Sequence, residues 1–324
     1  MAKRRMGIIL FLFCLCLCLL PCQAKAVSTV NAAESISPER DCTLTIAYGY
    51  NGVAFKDVPV KLYKIADVSA DFQYSLTSSF RTSNLILNGI SSAGEWNVIR
   101  STLGAYIVAN HIAADSSAVT NAQGQILFSS LKPGLYLAIP GQVLQNDAHY
   151  LFDSALIALP GLGTDGKWQY QVTVTAKAEV LPPITPDEVT EFKILKLWKG
   201  DAGRNDRPKY VEVEIFRNGI SYQTVILSAE NHWSYSWKAP ADNSEWLVVE
   251  RNIPSGYAVT VEKKDTSYVL TNIRHTDSPG NRPIHPGRPP RTGDTSHILL
   301  YTVLMYASGI ILLLLSVTRK RRRE

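Results

Sequence analysis

The sequence predicts a mostly β protein built from two immunoglobulin-like β-sandwich domains, the first with a helical insertion. Three observations lead to this fold class. Short runs that alternate apolar and polar residues recur along most of the chain, and turn-forming residues separate them. A proline-rich linker at residues 181–188 divides these runs into one domain at 41–180 and a second at 189–274. The chain of 324 residues is long enough for two domains of ordinary size and for terminal targeting segments.

The first domain follows a polar, unpatterned stretch at residues 27–40, which predicts a flexible leader. Within residues 95–110, apolar side chains such as Trp96, Ile99 and Leu103 recur at helical spacing. This segment predicts an amphipathic helix that covers an edge or a face of a sheet. Alternating runs predict strands at residues 43–46, 58–65, 125–128, 135–139 and 168–176.

The second domain is predicted to contain seven short strands separated by turn signals, among them Asn218-Gly219. Seven short strands of this kind are typical of a β-sandwich. After them, residues 275–290 are rich in proline and glycine, which predicts an extended stalk. The seven predicted strands lie at residues 192–198, 211–217, 222–227, 233–237, 246–250, 257–261 and 268–273.

The N-terminus has the three parts of a secretory signal peptide. Basic residues at 3–5 precede an uncharged run at 7–20, and the small-x-small triplet Ala-Lys-Ala follows at 24–26. The uncharged run is shorter than a bilayer-spanning helix, so we expect residues 1–26 to be a cleaved signal peptide. An uncleaved N-terminal anchor is one alternative. A lipoprotein modified at Cys22 is another, although the preceding proline suits lipoprotein processing poorly.

The C-terminus has the features of a cell-wall sorting signal at residues 289–324. An apolar run at 298–317 has the length of a transmembrane helix, and the basic tail at 319–323 stays on the cytoplasmic side of the membrane. Directly before this run, residues 289–294 read Pro-Pro-Arg-Thr-Gly-Asp. This peptide resembles the Leu-Pro-x-Thr-Gly signal of Gram-positive sortase substrates, with proline in place of the leading leucine.

The resemblance implies that a sortase cuts between Thr292 and Gly293 and passes the Thr292 carbonyl to an amine of peptidoglycan or of another subunit. Pro290 would keep the peptide extended, as a transpeptidase requires. The protein would then be secreted and anchored to the cell wall at the extracellular surface, with membrane contact only before sorting. An ordinary single-span membrane protein with a chance motif is the alternative.

Composition argues against nucleic-acid binding. Of the formal charge of +5, the signal peptide contributes +4 and the segment after Thr292 contributes +3, which leaves about −2 for the mature chain. Such a chain lacks the broad positive surface that phosphate binding needs. Four of the five cysteines lie in the signal peptide, so the remaining Cys42 cannot form an internal disulfide or a cysteine metal site.

The sequence also argues against an enzyme. The six histidines include no pair at ligand spacing, and the chain contains no nucleophile elbow or phosphate-binding loop. Its aspartates do not have the spacing of a calcium loop. We therefore predict a non-enzymatic protein with no cofactor and no metal site.

Seven motifs follow one another through the second domain: Lys196-Leu197-Trp198, Arg207-Pro208, Asn218-Gly219, Trp233-Ser234-Tyr235, Trp246-Leu247-Val248-Val249-Glu250, Pro254-Ser255-Gly256-Tyr257 and Leu270-Thr271-Asn272. In this order they resemble the collagen-adhesin B-type (Cna-B) family. The resemblance implies an internal isopeptide bond between Lys196 of the first strand and Asn272 of the last strand. A buried acid, Glu250, would assist its formation.

Strand alternation is consistent with these roles. Lys196 shares one face of its strand with Trp198, and Glu250 shares one face of its strand with Trp246. If both faces point inward, burial disfavours the charged forms of the lysine and the acid. A neutral Lys196 could then attack, while a neutral carboxylic acid could polarise the Asn272 amide and protonate the departing ammonia. The alternative is a solvated salt bridge between Lys196 and Glu250, with Asn272 in a turn.

Residues 60–64 (Val-Lys-Leu-Tyr-Lys), 131–136 (Leu-Lys-Pro-Gly-Leu-Tyr) and 168–174 (Trp-Gln-Tyr-Gln-Val-Thr-Val) give the first domain a looser resemblance to the N-terminal domain of sortase-assembled pilins. The first strand has no lysine, so we predict no isopeptide bond of this kind there. In shaft pilins the last strand ends in Tyr-Pro-Lys, whose lysine accepts the next subunit. Lys177 keeps this lysine without the Tyr-Pro, which makes it a candidate acceptor; the alternative is an ordinary solvated charge.

Together these features predict a structural pilin subunit that is displayed at the cell surface. Its partners would be a sortase and either peptidoglycan or other pilin subunits. The alternative is a stand-alone adhesin whose N-terminal domain binds a host or neighbour-cell ligand.

Overall fold

The computed structural model describes residues 35–145, 148–181, 188–201 and 207–274. This part of the chain is mostly strand and includes one long α-helix, so the predicted fold class is confirmed. No helix in these ranges is both long and apolar enough to cross a membrane. The predicted signal peptide at 1–26, stalk at 275–290 and sorting signal at 289–324 lie outside the described residues.

The first domain contains helix α1 (Ala93–Ala109), a short 3-10 helix (Arg81–Ser83) and strands β1 to β15. The strands are β1 (Cys42–Ala47), β2 (Gly49–Tyr50), β3 (Val53–Ala54), β4 (Pro59–Val68), β5 (Tyr74–Leu76), β6 (Ser116–Val119), β7 (Gln125–Leu131), β8 (Gly134–Pro140), β9 (Val143–Gln145), β10 (Ala148–Phe152), β11 (Ala155–Leu159), β12 (Gly161–Leu162), β13 (Trp168–Gln169), β14 (Gln171–Thr175) and β15 (Ala178–Val180).

Two sheets of the first domain enclose a hydrophobic core. One has the strand order β14-β1-β7, and the other has the order β11-β8-β4-β5, with β6 also paired to β4. Alternate residues of β1, β4 and β7 point into the space between them, so Leu44, Ile46, Leu62 and Phe128 are buried there. Smaller pairings, β15-β10-β9, β12-β13 and β2-β3, complete this domain.

Helix α1 covers the other face of the larger sheet. Its residues Trp96, Ile99, Leu103 and Ile107 form a second buried cluster with apolar side chains of β4 and β8. The helix begins with a capping box: the Ser92 hydroxyl accepts a hydrogen bond from the Glu95 amide at 3.2 Å, and the Glu95 carboxylate accepts one from the Ser92 amide at 3.1 Å. The predicted helix at 95–110 is therefore present, and it covers a sheet face.

The second domain contains all seven predicted strands. They are β16 (Val189–Lys199), β17 (Tyr210–Arg217), β18 (Ile220–Ser228), β19 (Ser234–Pro240), β20 (Trp246–Arg251), β21 (Tyr257–Lys264) and β22 (Ser267–Arg274), and a 3-10 helix (Ala229–Asn231) precedes β19. The two sheets have the orders β19-β16-β22-β21 and β18-β17-β20. The first and last strands, β16 and β22, are parallel neighbours, with Lys193 opposite Ser267 at one end and Lys199 opposite Ile273 at the other.

The opposite side of α1 contacts the second domain. Strands β20 and β21 are the edge strands of their two sheets, and α1 lies against both. The buried Thr102 hydroxyl accepts a hydrogen bond from the Val261 amide at 2.8 Å, and Arg251 donates one to the Ala109 carbonyl at 3.1 Å. The inserted helix therefore packs on the first domain with one side and covers an open edge of the second domain with the other.

The first domain contains strands that the sequence did not predict, among them β9, β10 and β11, and it also differs from the prediction at residues 27–40 and 168–176. Ile36, inside the predicted leader at 27–40, is buried in the core, and its amide donates a hydrogen bond to the Ala70 carbonyl at 3.0 Å. The predicted strand at 168–176 is split at Tyr170, whose ring is buried and whose hydroxyl accepts a hydrogen bond from the Ser37 amide at 2.8 Å. Ile36 and Ser37 therefore pack against the first domain and are not part of a flexible leader.

Candidate functional site

Three polar side chains are buried together in the second domain: Lys196 on β16, Glu250 on β20 and Asn272 on β22. Their exposed fractions are 2 %, 4 % and 0 %. Strand alternation turns each of them inward, since the residues two positions earlier, such as Ile194 and Val248, are also buried. Charged residues are almost never this buried unless they are paired. The structure thus brings together the three residues that the sequence resemblance singles out.

Glu250 lies between the other two side chains. Its Oε2 atom is 3.3 Å from Lys196 Nζ, and its Oε1 atom accepts a hydrogen bond from Asn272 Nδ2 at 2.8 Å. Lys196 Nζ also donates to the Leu197 carbonyl at 3.1 Å. The side chains of Lys196 and Glu250 have no solvent exposure, so this contact is not a solvated surface salt bridge. Asn272 lies within a strand and not in a turn.

Burial favours the neutral forms of both titratable groups. Loss of hydration lowers the pKa of Lys196 to about 8, although the nearby Glu250 charge opposes the shift. Loss of hydration also raises the pKa of Glu250, against the opposing effects of the Lys196 charge and the hydrogen bond from Asn272. A neutral amine has a lone pair with which to attack, and a neutral carboxylic acid has a proton to donate. The cluster therefore holds both groups closer to their reactive forms than water would.

Two buried oxygens of the cluster, Glu250 Oε2 and Asn272 Oδ1, make no hydrogen bond to the described residues. The oxygen and nitrogen of an asparagine amide have nearly the same shape, and rotation of the Asn272 amide by half a turn about its Cβ–Cγ bond exchanges Oδ1 and Nδ2. After this turn, Oδ1 would face the Glu250 carboxyl group, which in its neutral form can donate a hydrogen bond to it. In that orientation a protonated Glu250 would pair Asn272 Oδ1 and polarise its carbonyl, while Glu250 Oε2 would keep its contact with Lys196 Nζ, 3.3 Å away.

Aromatic side chains form one wall of the cluster. Lys196 Nζ lies 4.5 Å from the ring centroid of Trp198. Trp198 in turn contacts Trp233 and Tyr257 edge to face, with centroid distances of 5.3 Å in both pairs. Packed rings keep water out of the cluster, which maintains the low-dielectric surroundings that favour neutral side chains.

Asp201 and Arg207 adjoin this wall, and the sequence analysis did not identify them as site residues. Asp201 is 3 % exposed. Its two carboxylate oxygens accept hydrogen bonds from Arg207 at 2.6 and 2.7 Å, and Oδ2 accepts a third from the Tyr257 hydroxyl at 3.1 Å. Arg207-Pro208 is one of the motifs quoted above, but nothing in the sequence pairs it with Asp201.

Lys177 is not part of this cluster. It lies in the first domain, between β14 and β15, where its side chain is exposed and its carbonyl accepts a hydrogen bond from the Asp153 amide at 2.9 Å. An exposed ammonium at this position is accessible to another protein. The predicted sorting-signal residues Pro290, Thr292 and Gly293 lie outside the described residues.

Elsewhere in the described ranges the buried polar side chains are few. In the first domain they are Ser83, Thr102 and Thr120, and no lysine is among them. The described residues contain no group of three or more histidine, cysteine, aspartate or glutamate side chains arranged to hold a metal ion. Among the buried polar side chains of these ranges, the Lys196 cluster brings together an amine, a carboxyl group and a carboxamide.

The cluster has the groups needed to form an amide. Attack of Lys196 Nζ on Asn272 Cγ would make one carbon–nitrogen bond, break the Cγ–Nδ2 bond and release Nδ2 as ammonia. Glu250 contacts both nitrogens, so it can take a proton from Nζ and give a proton to Nδ2. No atom changes oxidation state, and the exchange needs no co-reactant.

Comparison with known proteins gives a family match for the second domain. Residues 192–273 match the model of the Cna protein B-type domain, and this range contains Lys196, Glu250 and Asn272. The chain is also similar to a collagen adhesin of Staphylococcus aureus, with 28% identity over 112 residues. This alignment covers 32% of the chain and 9% of the adhesin, so the chain spans a small part of that relative's length.

Several solved structures are similar to this chain, with low sequence identity. A single B repeat unit of the S. aureus collagen-binding protein has a TM-score of 0.25 and 13% identity, covering 73% of this chain and 99% of that one. The minor pilin GBS52 of Streptococcus agalactiae has a TM-score of 0.25 and 17% identity, covering 74% and 100%. The major pilin SpaD of Corynebacterium diphtheriae has a TM-score of 0.26 and 11% identity, covering 75% and 99%.

We predict a bell-shaped pH dependence for amide formation in this cluster. Lys196 becomes neutral as the pH rises through about 8, whereas Glu250 stays neutral only below its raised pKa. The reactive state, with both groups neutral, therefore holds one proton on the pair. The rate should fall above about pH 8, where this proton is lost, and it should fall again at acid pH, where the pair gains a second proton.

The measurement is the loss of ammonia, followed by intact mass, as the full mature chain refolds from urea at a series of pH values. The acid limb should lie above the usual titration range of a glutamic acid, because burial raises the pKa of Glu250. A rate that keeps increasing through pH 10 would contradict the requirement for a protonated Glu250.

Proposed function

Because its second domain is of the Cna protein B type, we propose that this chain is a cell-wall-anchored surface pilin subunit whose second domain forms an internal isopeptide bond between Lys196 and Asn272. Glu250 assists the reaction as the proton carrier. The observation that carries the bond is the dry contact of the three side chains, in which Glu250 touches both Lys196 Nζ and Asn272 Nδ2. The role of the protein is structural, and formation of the isopeptide bond is the one reaction that its own residues perform.

The energetics of burial support this reaction. A buried ion pair costs several kcal/mol of hydration per ion, and mutual attraction often fails to restore it. Amide formation converts Lys196 into a neutral amide and leaves Glu250 as a neutral acid, so no charge remains within this cluster. The reaction therefore relieves the least favourable feature of the core.

The position of the bond supports a mechanical role. Strands β16 and β22 are the first and last of the domain and lie side by side, so the bond joins the two strands from which the chain enters and leaves. Closing so long a loop stabilises a domain by about 4 kcal/mol if it acts as a disulfide of similar loop length does. Cys42 is a free cysteine and the described residues contain no disulfide, so the bond would give this part of an exported chain the reinforcement that disulfides do not.

The full mature chain should weigh one ammonia less than its sequence mass. The Glu250→Ala and Asn272→Ala variants should keep the full mass, because one lacks the proton carrier and the other lacks the leaving amide. Lys193→Arg serves as the matched control on the same strand, since Lys193 is exposed, and it should lose ammonia as the native chain does.

A proteolytic digest should contain one branched peptide that joins the Lys196 and Asn272 segments. A native chain of full mass, with no branched peptide, would remove the bond from this proposal.

Anchoring to the cell wall is supported by the order of the C-terminal segments, which are a motif similar to the sortase cleavage signal, an apolar run and a basic tail. In the native host, Thr292→Ala should move the protein from the wall fraction to the membrane fraction, because the carbonyl that would be transferred no longer belongs to the motif. Thr295→Ala is the matched control and should leave the protein in the wall. If mild detergent extracts the native chain with its C-terminus intact, the proposed anchoring to the cell wall is wrong.

Polymerisation would require an accessible amine, and the exposed Lys177 is the candidate supported by its position at the end of β14. Wall extracts boiled in detergent should then show a ladder of bands on a gel. Lys177→Arg should reduce the ladder to one band, whereas the control Lys167→Arg, at another exposed lysine of the same domain, should preserve it.

A single band from the native chain would instead favour the alternative, a stand-alone adhesin with a host or neighbour-cell ligand. The similarity to the S. aureus collagen adhesin supports that alternative.

A further inference from the structure

A second buried carboxylate lies close to the reacting lysine. Asp201 follows the end of β16 and is 3 % exposed, and Arg207 binds both of its oxygens in a bidentate contact. The Tyr257 hydroxyl donates a third hydrogen bond to it at 3.1 Å, and Arg274 in turn donates to that hydroxyl at 3.4 Å. Bidentate arginine–carboxylate pairs are among the strongest polar contacts in proteins, so Asp201 is held ionised in a fixed place.

Trp198 connects this pair to the reacting lysine. Its ring centroid lies 4.5 Å from Lys196 Nζ and 5.6 Å from the guanidinium carbon of Arg207. The ring also packs edge to face against Tyr257, which Asp201 holds by its hydroxyl. Lys196 and the Asp201–Arg207 pair therefore share one aromatic wall. Loss of Arg207 would act on Lys196 in two ways, by loosening that wall and by leaving the negative charge of Asp201 uncompensated.

The two charges of the pair act on Lys196 in opposite directions. The Asp201 carboxylate raises the pKa of Lys196, and the Arg207 guanidinium lowers it. The other groups that face the lysine are Glu250 from β20, Asn272 from β22 and the ring of Trp198 from its own strand. An uncompensated Asp201 would thus give Lys196 a second anionic partner and stabilise the ammonium, which cannot attack.

We propose that Arg207 is a positioning residue for the isopeptide reaction: it neutralises Asp201, so that Asp201 holds Tyr257 and Trp198 against Lys196 without acting as a second counter-ion for the lysine. This inference rests on the proposed isopeptide bond. It assigns Arg207 and Asp201 a role in the rate of the reaction, which goes beyond holding the segment that follows β16.

The test compares refolding rates of ammonia loss for the full mature chain and three variants. Arg207→Ala should slow the reaction at neutral pH severalfold, because the uncompensated Asp201 favours the ammonium form of Lys196, and it should move the alkaline limb of the pH profile to higher pH. The double variant Asp201→Asn/Arg207→Ala removes the anion as well, so its rate and its alkaline limb should return towards those of the native chain.

The matched control is Arg217→Ala, which breaks another arginine–aspartate pair of the same domain, Arg217 with Asp242. It should leave both the rate and the limb unchanged. If the Asp201–Arg207 contact only held the chain in place, the result would differ. Both variants lack that contact, so the double variant would react as slowly as Arg207→Ala. The alkaline limb would then stay at its native pH in both variants.

The outcomes separate this inference from the proposed function. If the native chain retains its full mass, the isopeptide bond and the role of Arg207 both fail. If the native chain loses ammonia and Arg207→Ala does so at the same rate with the same limb, only the role of Arg207 fails. Each rate of ammonia loss is normalised to the fraction of chains that refolds, measured by far-UV circular dichroism. A variant that refolds in low yield therefore still gives an answer.

Discussion

The second domain is organised around the removal of one lysine and one acid from water. Lys196 comes from one sheet and Glu250 comes from the other, so the two groups lose their hydration only when both sheets have closed. Before closure, the lysine is a hydrated ammonium and the acid a hydrated carboxylate, and neither can react. This dependence would couple the proposed isopeptide reaction to folding, because the assembled core supplies the low dielectric that favours a neutral amine and a neutral carboxyl group.

The same constraint determines how the domain would carry force. An amide between Lys196 and Asn272 would connect the entering strand β16 directly to the leaving strand β22. Tension would then pass through covalent bonds, and the strands between the two positions would carry no load. In an uncrosslinked sandwich, the same tension would act on the hydrogen bonds between β16 and β22 and separate the strands that cover the core. The dry cluster thus lies where a covalent bond has the largest mechanical effect.

Alternation and turn signals were sufficient to predict the seven strands of the second domain, because each strand has one buried face and polar residues on the other. They were not sufficient for the first domain, where β9, β10 and β11 were missed and Ile36 was placed in a leader. β10 and Ile36 bond to distant parts of the chain, namely β15 and Ala70. β9 is only three residues long, and β11 is buried along most of its length and therefore does not alternate. In the site, Lys196, Glu250 and Asn272 came from motifs within strands. Asp201 was missed because its significance depends on its contacts with Arg207 and Tyr257.

Helix α1 extends this dependence on burial to the first domain. Thr102 and Ala105 of the helix border, together with Glu250, a cavity of about 300 Å³ at the open edge between β20 and β21. The helix amphipathicity that the sequence shows explains only its contact with its own domain, through residues such as Leu103. Its second contact uses small and hydroxylated residues, which allow close approach to β21 and the hydrogen bond from the Val261 amide. Because that bond satisfies an edge-strand amide, helix α1 covers the open edge of the second domain on the side where Glu250 borders the cavity, and both domains line that cavity.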